Sequence, residues 1–191
     1  MINYIWGFFI VVGVLFSIIN GSGSVTNSML LSGSKAIDMI LGIVPLMCLW
    51  LGTMKIAEAS GLLDIMSKKL SKVVKILFPE IPEGDKAIGY ISSNVVMNML
   101  GLGNAATPFG LKAMSELKRL NNDSDVASRS MITFLVINTA SVTIVPTTVI
   151  SFRRMYHSNQ PTEILIPCMI ATILSCLFGL LVDRIFAKYW K

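Results

Sequence analysis

Charge is scarce in this chain, and so are the residues that carry covalent and metal chemistry. Asp, Glu, Lys and Arg make up 14% of the 191 residues and apolar residues 53%, whereas a water-soluble domain carries roughly a quarter charged residues. That balance excludes an ordinary soluble fold, and it excludes intrinsic disorder, which needs low hydrophobicity. The three cysteines, Cys48, Cys168 and Cys176, lie apart, each inside an apolar run. They form neither a disulfide framework nor a paired-cysteine metal site. The single histidine, His157, sits close to Arg153 and Arg154 with no Cys, Asp or second His at ligand spacing. We therefore assign no metal, no cofactor and no catalytic residue. Gly-x-Ser-x-Gly, phosphate-loop and paired-histidine zinc patterns are missing, and Gly101-Leu102-Gly103 follows an apolar helical stretch, so it is not a dinucleotide fingerprint. The chain does not read as an enzyme. Sixteen basic residues against eleven acidic give a net charge of +5, but the basic residues flank apolar segments and are not interleaved with a stacking surface. That placement fits membrane topology and argues against nucleic acid as a partner.

What is present is a series of apolar segments. Ile2 to Ile19 carries no charge and, at about 1.5 Å per residue, is long enough for about 30 Å of hydrocarbon. It has no basic stretch ahead of it, so it is expected to remain as an anchor, with Tyr4 and Trp6 at the interface. Gly21-Ser22-Gly23-Ser24 reads as a flexible turn, and Ala36 to about Ala57 as a second span with Asp38, Lys55 and Glu58 at its boundaries. From Leu62 to Phe78 the apolar residues Leu62, Met66, Leu70, Val73, Val74 and Leu77 fall at helical spacing, with Lys68, Lys72 and Lys75 on another face. This is the pattern of an amphipathic helix lying in the interface, in contact with membrane lipid.

Two later segments are interrupted. Ile88 to Leu100 is too short to cross and runs into Gly101-Leu102-Gly103-Asn104; Thr107 is expected to cap, and Pro108 to open, a second short helix ending near Leu117. Met131 to Phe152 is a span broken at Pro146, and Ile164 to Phe186 is the last span. Charge counting decides whether residues 88–117 cross or return. If they cross, the sixteen basic residues divide eight against eight; if they return as a re-entrant hairpin, the division is thirteen against three, a strong positive-inside bias. The expected fold is all-α and membrane-integral: about four transmembrane helices, one re-entrant hairpin and one interfacial helix, with both termini cytoplasmic. Residues 1–87 form an N-terminal part with the surface helix, and 88–191 hold the hairpin, the Pro-broken helix and the final span.

Irregular backbone inside a bilayer must be buried in protein or face water, because an unpaired amide or carbonyl there costs several kcal/mol. The two interrupted segments are therefore expected to satisfy each other. Asn94 and Asn98 lie four apart on one helical face and are directed at the Pro146 break, where the Val142 carbonyl loses its helical bond. The tip joins a helix C-terminus to a helix N-terminus, so a small solute or an ion of either sign is a candidate ligand. Candidate pathway residues are Asn94, Asn98, Asn104, Thr107, Asn138, Thr139, Thr143 and Thr147, with Gly101, Gly103, Pro108 and Pro146 as the helix breaks.

The stretch Gly101-Leu102-Gly103-Asn104-Ala105-Ala106-Thr107-Pro108-Phe109-Gly110-Leu111-Lys112-Ala113-Met114, preceded by Asn94 and Asn98, resembles the spore maturation protein A family. So do Asn138-Thr139-Ala140-Ser141, Ile144-Val145-Pro146-Thr147-Thr148 and Trp50-Leu51-Gly52-Thr53-Met54-Lys55-Ile56-Ala57-Glu58. That family belongs to the group carrying the nucleoside-recognition, or Gate, domain. The resemblance implies a membrane protein of endospore formers that works with a sister protein, spore maturation protein B, in dehydrating the spore core. It also implies likeness to the core of concentrative nucleoside transporters, in which a hairpin is paired with an unwound helix in each of two inverted repeats. This chain has one such pair, and the sister protein is expected to supply the other as a hetero-oligomer. The transporters' ligand-contacting acidic residues have no counterpart in the hairpin. The alternative is a membrane scaffold that recruits other spore membrane proteins through the helix at 62–78.

Overall fold

The computed structural model describes residues 2–19 and 25–188; the turn expected at 21–24 lies outside them. Every regular element among the described residues is helical. Two compact units divide the chain after Pro45. The first holds α1 (Ile2–Ile19) and the beginning of α2 (Val25–Ala59). No residue of α1 is buried, as expected of an uncharged helix whose solvent is lipid. α2 runs to 35 residues, well beyond the span expected at 36–57, with Pro45 inside it.

The second unit, from Leu46 onward, holds the rest of the fold. α3 (Leu62–Leu77) starts after Gly61, whose φ of 76° lets the chain turn sharply out of α2. α4 (Lys86–Met99) and α5 (Gly103–Leu120) pack along each other as a helical hairpin. α6 (Arg129–Thr139) and α7 (Thr147–Met155) are the halves of a broken helix, and a 3-10 turn at Pro161–Ile164 leads into α8 (Leu165–Ala187). Among the described residues three segments are long and apolar enough to cross a membrane, Ile2–Ile19, Asn27–Ala59 and Pro161–Ala187. The fourth expected span is the α6/α7 pair, of which neither half reaches across on its own.

The hairpin doubles back at its tip and is clamped at its base. The Arg119 guanidinium meets the Asp85 carboxylate at 2.6 Å, and the Lys112 ammonium lies 5.7 Å from the centre of the Tyr90 ring. Asp85 caps α4 by accepting the Ala87 N–H. The core lies between α3 and the hairpin. Near the base, Val74, Phe78 and Ile81 pack with Ala87, Ile88, Ile91 and Leu117; near the tip, Leu63 packs with Val96, Met97, Leu102 and Ala106. The apolar stripe of α3 is thus wider than one surface needs. Leu63, Met66, Leu70 and Val74 face the hairpin, while Leu62, Ile65, Val73 and Ile76 remain exposed beside Lys68, Lys69 and Lys72.

Candidate functional site

The hairpin tip is a three-residue turn, Leu100 to Leu102, shorter than the uncoiled stretch expected at 101–106. Gly101 takes the left-handed conformation, φ 73°. The Gly101 N–H donates to Asn98 O at 3.0 Å and the Leu102 N–H to Met97 O at 2.9 Å. This is a Schellman closure of α4, with Leu102 and Met97 in the same apolar cluster. α5 then begins at once, because the Ala106 N–H already donates to Leu102 O. Thr107 and Pro108 therefore do not start the helix. Thr107 lies in its second turn with its hydroxyl donating to Gly103 O at 3.2 Å. Pro108 lies inside α5, and Gly103 is the first helical residue. Of the four expected breaks, Gly101 and Pro146 lie where the helices are interrupted, whereas Gly103 and Pro108 are helical.

The second break is longer. α6 ends at Thr139, α7 starts only at Thr147 after Pro146, and residues 140–146 are uncoiled. Met99 O, at the C-terminal end of α4, accepts the Ile144 N–H at 2.8 Å and the Val145 N–H at 3.2 Å. The Thr147 hydroxyl reaches Gly101 O at 3.4 Å. The Thr143 N–H donates to the Thr172 hydroxyl of α8 at 3.1 Å, and the Trp50 indole N–H donates to Leu100 O at 3.1 Å. Each interrupted segment thus takes up polar groups that the other leaves free. The approach is close: a Cβ on Gly101 would stand 2.3 Å from Val145 O.

The asparagines do something other than expected. They pair with one another and not with the Pro146 break, where Val142 is already outside any helix. Asn94, 2% exposed, donates to Ala106 O at 3.0 Å. Asn98 donates to Asn94 Oδ1 at 3.3 Å and to Asn138 Oδ1 at 2.9 Å. Both Asn98 N–H groups are thereby used, and a chain of carboxamides runs from the hairpin core to α6.

Two cavities flank this chain. One of about 380 Å³ is lined by Asn94, Asn98, Gly103, Thr107 and Asn138, with Leu111, Met114, Phe134 and Leu135. The other, about 300 Å³, is lined by Asn98, Gly101, Gly103, Ser141, Thr143, Pro146, Thr147, Thr148 and Cys168. They share Asn98 and Gly103, and no charged side chain lines either. Asn104 and Thr139 are exposed and line neither cavity. The carbonyls that close α4 are occupied by donors of the chain itself, so a cation held by the tip would have to displace them. Trp50 and Thr172 are the participants that sequence reasoning missed. A tryptophan well inside a span, away from the interface these side chains favour, was the signal for the first. One threonine in an apolar helix gave almost none for the second. Lys55 and Glu58 pair at 2.9 Å on an exposed surface.

Comparison with known proteins agrees with this architecture. Residues 40–155 match the Gate family, described as nucleoside recognition, and that stretch takes in the hairpin and both halves of the broken helix. Spore maturation protein A of Bacillus subtilis (strain 168) is 46% identical over 187 residues, covering 97% of this chain and 95% of that protein. No solved structure matches the chain. A helical membrane chain whose hairpin and broken helix fall within the Gate match, and which aligns with that relative nearly end to end, belongs to the spore maturation protein A family within the Gate group.

Proposed function

We propose that this spore maturation membrane protein is one half of a pathway for a small uncharged polar solute, and that spore maturation protein B supplies the other half. The observation that carries the reading is the mutual bonding of the two breaks, with two cavities beside them lined by amide and hydroxyl groups and by no charge. Interrupted helices that meet at membrane depth are how transporters build sites from backbone and small polar side chains. A site without charge selects a neutral ligand, since an ion would lose hydration with no counter-charge to replace it. Asn138 is exposed on α6, and an exposed carboxamide at membrane depth calls for a protein neighbour or water, a role the sister protein fills. In the spore this path serves dehydration of the core, in the membrane around the forespore.

The test is co-reconstitution of both proteins in vesicles, with flux of neutral solutes and of water followed by light scattering. Flux is expected with both chains together and is expected to fall about tenfold or more in Asn98→Ala and Asn138→Ala. Absence of flux for every solute tried, together with spores of normal core density from both variants, defeats the proposal. A scaffold role is favoured by one observation, the apolar stripe Leu62, Ile65, Val73 and Ile76 left exposed on α3. In that case reversing the charge of Lys68, Lys69 and Lys72 abolishes spore maturation while the asparagine variants leave it intact.

A further inference from the structure

A third cavity, about 550 Å³, lies between α6 and α8. It opens on a face of α6 other than the one bearing Asn138: Arg129, Ile132 and Val136 follow each other by three and four residues. Its floor is where Gly179 lets the helices approach, since a Cβ there would stand 3.2 Å from Val136 Cγ1. Its walls are apolar, and Phe178 and Phe186 are largely exposed. At one end it carries two opposite charges, Arg129 at the start of α6 and Asp183 near the end of α8. No ion pair joins them among the described residues. Among the described residues the Asp183 carboxylate accepts only the Thr133 hydroxyl, at 2.8 Å.

We propose that this groove binds one phospholipid whose headgroup carries both a phosphodiester and an ammonium. The ammonium sits at Asp183, the phosphate at Arg129, and an acyl chain runs toward Val136 and Gly179. Charge complementarity selects this occupant. α8 belongs to a membrane-spanning segment that ends at Ala187, which puts Asp183 at headgroup level, and along α6 the apolar floor at Val136 lies about 10 Å deeper than Arg129, the rise of seven helical residues. An apolar partner helix filling the groove would strip water from a carboxylate and a guanidinium without offering either a counter-charge. An anionic headgroup would satisfy Arg129 and be repelled by Asp183.

The test uses the full chain purified in mild detergent, delipidated, and titrated with dioleoyl phosphatidylethanolamine or dioleoyl phosphatidylglycerol while bound lipid is counted by native mass spectrometry. The two probes share acyl chains and phosphodiester and differ in the ammonium. The wild type is expected to hold one phosphatidylethanolamine about fivefold more tightly than phosphatidylglycerol, the size of one charge contact at a membrane surface. Asp183→Asn keeps an acceptor for Thr133 and is expected to abolish that preference. Arg129→Gln is expected to weaken both lipids by a similar factor. Equal retention of the two lipids by the wild type, or an unchanged preference in Asp183→Asn at a wild-type elution volume, overturns the proposal. So does a dimer that Val182→Trp dissociates, since the occupant is then a helix.

Discussion

At the scale of single residues, the tip depends on Gly101 and hardly at all on Gly103, although the sequence presents them as a pair. Gly101 takes a left-handed φ of 73° with Val145 O directly over it, whereas a Cβ on Gly103 meets nothing within 4 Å. Left-handed backbone costs a residue with a side chain about 1–2 kcal/mol, before any clash is counted. Gly101→Ala must also push the 140–146 segment off Met99 O. Thermal unfolding in detergent is expected to show Gly101→Ala melting several degrees lower, at about 2–4 °C per kcal/mol for a chain of this size. Gly103→Ala is expected to stay within about 1 °C of the wild type, because open space at a helix start penalises nothing. Equal melting of the two variants contradicts this account of the tip. Neither outcome is legible in Gly-Leu-Gly, which shows that a helix stops but not which residue turns. The partner of Asn98 is hidden for a similar reason: Asn138 stands forty positions away, and no periodicity links them.

Among the elements, the spans and the hairpin were legible because hydropathy and charge bias are properties of whole segments. The boundaries of the uncoiled parts were not, since Met99 O is claimed by Ile144 and Val145 and local propensity does not register so distant a donor. The amphipathic pattern of α3 correctly gave a helix, yet it could not reveal that half of the apolar stripe faces the hairpin. The hairpin base makes a separate prediction. The Ala87 N–H and then the Arg119 guanidinium hold the Asp85 carboxyl below the usual carboxylate range, with partial burial opposing them. A carboxyl depressed by folding stabilises the folded state fully above its unfolded pKa, about 3.9, and loses that contribution as pH falls through the lower folded value. Asp85→Asn can still accept from Ala87 but cannot pair with Arg119. Melting followed from pH 6 down to pH 3 is expected to show the wild type losing more stability than Asp85→Asn, so that the gap between them narrows with acid. A gap that stays constant across that range removes Asp85 as the clamp.

For the molecule as a whole, the second unit offers a check on topology that the charge count did not use. Arg119 meets Asp85 at the hairpin base. Ser130, at the start of α6, donates to Glu80 at 3.0 Å, and Arg184, near the end of α8, reaches Leu77 O at 3.4 Å. The hairpin base, the beginning of the broken helix and the end of the last span therefore gather at one end of this unit. The chain leaves that end along α6, passes the tip through residues 140–146 and reaches Arg153 and Arg154 in the last turn of α7. These are the groups into which the thirteen-to-three division sorts the same residues, although no contact entered that arithmetic. On the positive-inside rule we propose that the crowded end is the cytoplasmic one. With Cys48, Cys168 and Cys176 replaced by serine, single cysteines from Lys86→Cys, Lys118→Cys and Asn159→Cys can be probed in intact cells with a membrane-impermeant maleimide. Asn159→Cys is expected to react, while Lys86→Cys and Lys118→Cys react only after the membrane is opened. Lys86→Cys and Lys118→Cys reacting from opposite sides means that the segment between them crosses the bilayer. The pairing of α4 with α5 would then have no place in a membrane, and the cavities beside the tip would lose the walls that make them a path.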